Sequence, residues 1–421
     1  MSTRRIYFLL PFTKSSTFTR TSNFCSHQAL VNNKFQSKDE NKIVEHFGGL
    51  KREEDFIKTA EKFVETWSVL RWPRHGCGGR SYALIGTLAD LERALLDYAL
   101  NFVWKQLQLD DNVKNVEIVN VEDILPVSTT RACGVPFQTG QNPMQYRIFN
   151  ADDIYNSSQK QIELSDDLDF CLSGTAEMGI ANQLKFNFLI IFAEDYVCGY
   201  WATTRACVAN IFFIRKLKNR VFHQDQLPTY FLSESTCFRP EISKGGLECG
   251  LYRVHQFKKV EMFVVCTEKQ SLDELQRIVN IQKNLFSSLG LHCRLLDMCK
   301  EELSAASQKF DIETWMPGRK SWGEISSASN CTDYQSRRLK ISYRSGSSSN
   351  NTSLHYCHTC NGTGMASSRT IMALLESCQL SPRHGLQLPK LMQMMLPAER
   401  SSVLKCGKAK PIVYFFDNGI C

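Results

Sequence analysis

Residues 359–379, TCNGTGMASSRTIMALLESCQ, constrain the fold of this chain more than any other stretch. Asn361-Gly362-Thr363-Gly364 has the composition of a turn, because asparagine and glycine accept backbone angles that other residues avoid. An apolar pattern of helical period follows directly, with Arg369 on its first turn. A flexible turn, a helix N-terminus and a fixed cation together suit a polyphosphate. The same arrangement also arises wherever an Asn-Gly turn precedes a helix, so the motif needs partners elsewhere in the chain.

The rest of the sequence sets the frame for those partners. At 421 residues the chain can bury a large core in one big or two ordinary domains. No apolar run approaches the 18 or so residues of a membrane span; the longest, 186–193 and 209–214, have strand length. The net charge of +7 is concentrated at the N-terminus. Residues 1–38 carry six basic side chains (Arg4, Arg5, Lys14, Arg20, Lys34, Lys38), no acidic one and eleven Ser or Thr, which leaves about +1 for the remainder. Any nucleic-acid binding must therefore come from a local patch. An Arg- and Ser-rich, acid-free N-terminus resembles a mitochondrial transit peptide. A secretory signal is the rival, since Arg4-Arg5 precede IYFLL, but Pro11 and Lys14 cut that run short. The seventeen cysteines are odd in number and scattered through apolar segments, as at Cys266 and Cys293, which suits buried thiols in a reducing compartment. Cys357-His358-Thr359-Cys360 invites a zinc reading, yet no second pair lies at finger spacing.

Along the chain, residues 39–76 read as a short helical segment, with Phe56, Ala60, Phe63, Val64 and Trp67 at helical spacing across 53–70. Residues 86–103 read as a second helix, with Leu88, Leu91, Leu95 and Tyr98 on one face. After Val121 short strands and turns take over. Candidate strands are 186–193, 262–266, 293–296 and 339–343, with a strongly amphipathic helix at 272–289 and a polar hairpin-like loop at 345–353. This order argues α+β around an antiparallel sheet with helices packed on one side, rather than βαβ alternation.

Three blocks, STCFRPE with GLYRVHQFKKVEMF at 235–263, EISSASNCTDYQSRR at 324–338 and the 359–379 segment, resemble the class II aminoacyl-tRNA synthetases in their seryl form. GTLADLERALLDYAL, from Gly86, resembles the dimer-forming motif 1 helix of the same family. The resemblance implies an antiparallel class II catalytic domain at 77–400, flanked by helices, with an insertion at 196–217 and a basic tail at 401–421. It also implies ATP-dependent activation of serine with Mg²⁺, transfer to tRNA(Ser) in the mitochondrial matrix, and a homodimer or a heterodimer with a related synthetase.

The same resemblance assigns roles. Arg239 would hold the α-phosphate and the serine carboxylate, and Glu241 the adenine amino group, while Phe257 stacks on the ring. Arg253 and Arg369 would meet the far phosphates, and Glu324, with Ser327 beside it, would bind magnesium and ATP. Thr175 and Glu177, in SGTAE, would take the serine ammonium; Glu261, Asn361 and Thr363 would surround its hydroxyl. Without the resemblance, Arg239 and Glu241 would be an ion-pair set on one face of a strand, and Phe257 plain core.

Departures from the family pattern keep an alternative open. Leu247-Glu248-Cys249 stands where an acidic-Thr-Arg triplet is usual, Gly174 where proline is usual, and Glu122 at a motif 1 proline. Only about 40 residues lie between the presequence and the catalytic domain, where relatives carry a long coiled-coil arm. These features fit a non-catalytic relative that acts as an RNA-binding or heterodimer partner, and a third reading is amino-acid activation without a tRNA role.

Overall fold

The computed structural model describes residues 40–72, 80–135, 138–139, 142–143, 145–148, 169–184, 221–241, 250–346, 353–380 and 385–396. The presequence, strand 186–193, the 196–217 insertion, Leu247-Glu248-Cys249 and the 401–421 tail lie outside the described residues.

Eight strands form the central sheet: β1 (Lys42–Gly48), β2 (Asn115–Ile118), β3 (Thr229–Phe238), β4 (Gln256–Cys266), β5 (His292–Asp297), β6 (Gln308–Met316), β7 (Ser321–Thr332) and β8 (His358–Ala366). Their order is β1-β5-β6-β7-β8-β4-β3-β2. Neighbours run antiparallel except β2, which adds to the edge parallel to β3. The expected α+β antiparallel architecture is therefore present.

Six helices matter for the site: α1 (Ala60–Val64), α2 (Thr87–Gln108), α3 (Ala176–Leu184), α4 (Ser271–Ser288), α5 (Tyr334–Leu339) and α6 (Ser367–Ser377). Strand β4 is buried on both faces from Lys259 onward, and its alternation splits the core in two. Val260, Met262 and Val264 join Leu91 and Leu95 of α2, Ile278 of α4 and Ile371 of α6. Phe263 and Val265 point the other way, to Ile180 and Ala181 of α3 and to Leu339 of α5. Helices thus flank both faces, not one, and α3 and α5 share their face with the odd-numbered side chains of β4.

Several expectations need correction. Within 39–76, the described residues 40–72 are not a helical segment ahead of the catalytic domain. Lys42–Gly48 is the edge strand β1, paired with β5 through Ile43↔Leu296 and Phe47↔Cys293, so it belongs to the sheet. The helix expected across 53–70 contracts to α1 and a 3₁₀ turn at Glu65–Trp67, ended by Ser68 at φ 57°. Ala60, Val64 and Trp67 are buried as their spacing suggested, but packing against the core provides that burial without a long helix.

The helix expected at 86–103 is α2. Its Leu88, Leu91 and Leu95 are buried in the chain's own core, so that face is not available to a partner. Arg93, Asp97, Asn101 and Lys105 make the exposed side. At 339–343 a helix ends and a separate strand, Ser342–Ser345, begins. The helix at 272–289 is found as α4, and 262–266 and 293–296 fall within β4 and β5.

Asn361-Gly362-Thr363-Gly364 is not a turn but the middle of β8, between β7 and β4. Gly362 is needed for close packing: a Cβ there would lie 2.3 Å from Ile278 Cγ2 of α4. The helix does start where expected, with Arg369 on the first turn of α6.

Candidate active site

One open cavity of about 310 Å³, on the sheet face shared with α3 and α5, is lined by all twelve predicted site residues. Its volume falls at the small end of ordinary ligand pockets. The strands explain the convergence. Phe257, Lys259 and Glu261 alternate onto one face of β4, and β8 sets Thr363 opposite Glu261 and Asn361 opposite Phe263. Helix α3 begins beside them, with Thr175 just before its first residue and Glu177 in its first turn.

The deeper end is a buried polar cluster. Glu177 accepts from Gln335 Nε2 of α5 at 2.5 Å and from Asn361 Nδ2 at 2.8 Å. Burial, and then the charge of Glu261, push the Glu177 carboxyl up to about 7 against the pull of Gln335, Lys259 and Asn361. Glu261 is 2% exposed and ion-paired with Lys259. Its Oε2 also receives the hydroxyls of Thr175 at 3.4 Å and Thr363 at 3.5 Å. Asn361 therefore bonds Glu177, while Thr363 alone of the β8 pair reaches Glu261.

The outer end gathers the arginines. Arg239 does not share a strand face with Glu241, because β3 ends at Phe238 and Glu241 adopts a left-handed φ of 47°. The guanidinium of Arg239 lies 5.3 Å from the Phe257 ring centroid, and Glu241 is ion-paired with Arg253. Arg369 donates to the Glu324 carboxylate at 3.0 Å and to its backbone carbonyl at 2.9 Å. Burial raises the Glu324 carboxyl, but Arg369, Lys309 and Arg239 outweigh it and hold it below its usual value.

A hard divalent cation prefers carboxylate and hydroxyl oxygens. Glu324 and Ser327 supply such oxygens in the cavity, and no three His, Cys, Asp or Glu among the described residues are grouped to hold a metal by themselves. This donor set fits magnesium that takes most of its ligands from phosphates. Cys357 and Cys360 are buried free thiols, and His358 Nδ1 is 3.1 Å from Ser271 Oγ, so these residues are engaged in packing.

Four residues escaped sequence reasoning. Lys259 reads as a solvated lysine in QFKKVEMF; strand parity with Phe257 and Glu261 is the signal that finds it. Gln335 lay in a recognised block, but only the fold brings α5 against Glu177. Tyr252 shapes the outer end: its ring lies 4.4 Å beneath Arg369, its carbonyl accepts from Arg369 Nε at 3.0 Å, and its hydroxyl accepts from Glu324 N–H at 3.0 Å. From behind the sheet, Gln282 of α4 donates to the carbonyls of Ser327 and Thr363 at 2.8 and 3.0 Å. It joins β7 to β8 just beyond Ala328↔Gly362, where their pairing stops.

Comparison with known proteins agrees with this geometry. Residues 205–378 match the model of the tRNA synthetase class II core domain (G, H, P, S and T). The chain is 35% identical over 344 residues to the mitochondrial serine–tRNA ligase of Bos taurus, covering 80% of this chain and 55% of that protein. It thus spans about half the length of the curated relatives it matches. Among solved structures, the cytoplasmic serine–tRNA ligase of Naegleria fowleri in complex with AMP superposes with a TM-score of 0.64 at 24% identity, over 85% of this chain and 71% of that one. The seryl-tRNA synthetase of Pyrococcus horikoshii complexed with ATP gives 0.60 at 25% identity, over 82% and 64%. Residues 205–378 thus resemble the class II tRNA-synthetase core domain, and within that class the similarity of the chain runs to the seryl-tRNA synthetases.

Proposed function

We propose that the chain is a serine–tRNA ligase of mitochondria, which joins serine to ATP as seryl-adenylate and passes the seryl group to tRNA(Ser). The convergence of Thr175, Glu177, Arg239, Glu261, Glu324 and Arg369 in one cavity carries this reading. The relatives named serine–tRNA ligase and the presence of all these side chains in one cavity favour this reading over the non-catalytic alternative.

In the proposed reaction, the serine carboxylate attacks the α-phosphate of ATP and pyrophosphate leaves. Glu177 and Thr175 take the serine ammonium, which directs the carboxylate toward Arg239. The fork of Arg239 then holds carboxylate and α-phosphate together and meets the charge that develops between them. Phe257 offers its free face to the adenine, Glu241 accepts from the adenine amino group, and Arg253 and Arg369 meet the far phosphates. Glu324 and Ser327 would hold magnesium, which would supply positive charge to neutralise the phosphates. At the side-chain end, Glu261 and Thr363 bond the serine hydroxyl. A substrate without that hydroxyl leaves buried polar groups unpaired and is refused.

The composition of residues 1–38 and the mitochondrial relatives support targeting to the mitochondrion, and we assign the matrix as the compartment. We include a dimer, either homomeric or with a related synthetase, and assign its contacts to surfaces other than the covered Leu88–Leu95 face. Charging of mitochondrial tRNA(Ser) with radiolabelled serine by the purified chain tests the proposal. Adenylate formation without charging would instead identify an amino-acid-activating enzyme with no tRNA role.

A further inference from the structure

The deep end of the cavity holds a charge that adenylate formation does not use. Lys259 is 5% exposed, ion-paired with Glu261, and donates to Thr175 Oγ1 at 2.7 Å and Thr363 Oγ1 at 3.5 Å. An ammonium has three protons to donate and no acceptor. All three are used here, so Lys259 has none left for a carboxylate or phosphate. What remains is its charge, set against Glu261.

Counting charges shows what that pairing does. Glu177 and Glu261 are the acids of the serine end, and Lys259 and Arg239 its bases. An amino acid brings an ammonium for Glu177 and a carboxylate for Arg239. Glu261 and Lys259 are left to cancel each other where the side chain lies. Hydroxyl and ammonium are close in size and both donate hydrogen bonds. A lone carboxylate therefore cannot reject the ammonium and would attract it more strongly than the hydroxyl. A carboxylate already neutralised by a neighbouring ammonium accepts the hydroxyl and repels a second cation.

We propose that Lys259 determines specificity: its ammonium neutralises Glu261, so the side-chain subsite admits the hydroxyl of serine and rejects β-aminoalanine, the analogue with an ammonium in its place. This rests on the serine reading of the pocket.

The test measures ATP–pyrophosphate exchange with serine and with β-aminoalanine for wild type, Lys259→Met, Glu261→Gln and the double variant. Wild type should favour serine by about 10² or more in kcat/KM, because like charges brought together without screening strongly disfavour the wrong partner. Lys259→Met keeps length and removes charge, so the ratio should move at least about tenfold toward β-aminoalanine. Glu261→Gln leaves Lys259 uncompensated and should move the ratio the other way. The double variant, neutral again, should return toward wild type. Shifts of opposite sign separate this role from a merely structural one, which would lower both activities together. If wild type activates serine and both single variants keep its ratio within about threefold, the inference is overturned while the serine reading stands. If wild type fails to activate serine, both fall. Should Lys259→Met not fold, the Glu261→Gln ratio alone decides.

Discussion

At the scale of single residues, the account turns on charge placed where a reaction needs it. Arg369→Ala should reduce serine activation by about 10²–10³, the usual loss for one charge-assisted contact at a developing charge. The fold should survive, because Ile371, Leu374 and Leu375 hold α6 in the core. ATP–pyrophosphate exchange within about twofold of wild type would remove Arg369 from the phosphate site. Arg369→Lys should not restore activity, since the fork that bonds Glu324 and faces Tyr252 is lost.

Glu177 gives a pH dependence with a definite sign. Only its ionised form pairs with an ammonium, and burial with Glu261 raises it to about 7 in the free pocket. Below that pH a proton must leave before serine binds, so KM for serine should rise about tenfold per pH unit as pH falls below 7. Above 7 it should level off, because the Glu177 carboxyl is then already ionised in the free pocket. A KM for serine flat from pH 5.5 to 8 would show that Glu177 does not take the ammonium. Glu261→Gln, which turns an acceptor partly into a donor, should narrow discrimination between serine and alanine, read as the ratio of their kcat/KM values.

At the scale of elements, legibility follows how local the determinants are. Helix α4 could be read directly, because Leu275, Ile278, Val279, Ile281 and Leu285 carry both the period and the burial. Strand β1 could not: KIVEHFG is charged and largely exposed, and becomes a strand only by pairing with β5. Strand β8 misled for a related reason. Its glycines look like turn signals, but Gly362 answers to Ile278 on another element. The site's residue types were legible through their blocks, while Lys259, Gln335 and Gln282 depend on which elements lie together. One consequence is testable. A chain starting at residue 40 should fold normally, whereas one starting at residue 50 loses β1 and the packing of Phe47 against the core. It should lose at least about 2 kcal/mol, the scale of one buried aromatic side chain. Equal urea midpoints for the two would deny β1 its place in the sheet.

At the scale of the whole molecule, two parts of the chain behave separately. Fused to a fluorescent reporter, residues 1–38 should direct it to mitochondria, since their charge and polarity give them no core to form. Reporter in the secretory pathway would reverse the localisation. Beyond that segment the charge is only about +1, so binding of tRNA by the isolated chain should have a shallow salt dependence. Each phosphate contact adds about −0.9 to the slope of log K against log salt on duplex. Steeply salt-dependent, tight binding would mean that the described surface understates the RNA contacts.

The central claim is that the cavity between β4, β7, β8 and α3 activates serine. Amino-acid-dependent ATP–pyrophosphate exchange by the purified chain, run against serine, threonine, alanine and glycine, tests it most directly. The account predicts exchange with serine, exceeding the other three by about 10² or more, and abolished in Arg239→Ala. Exchange that is absent with serine, or equally fast with alanine, would contradict it.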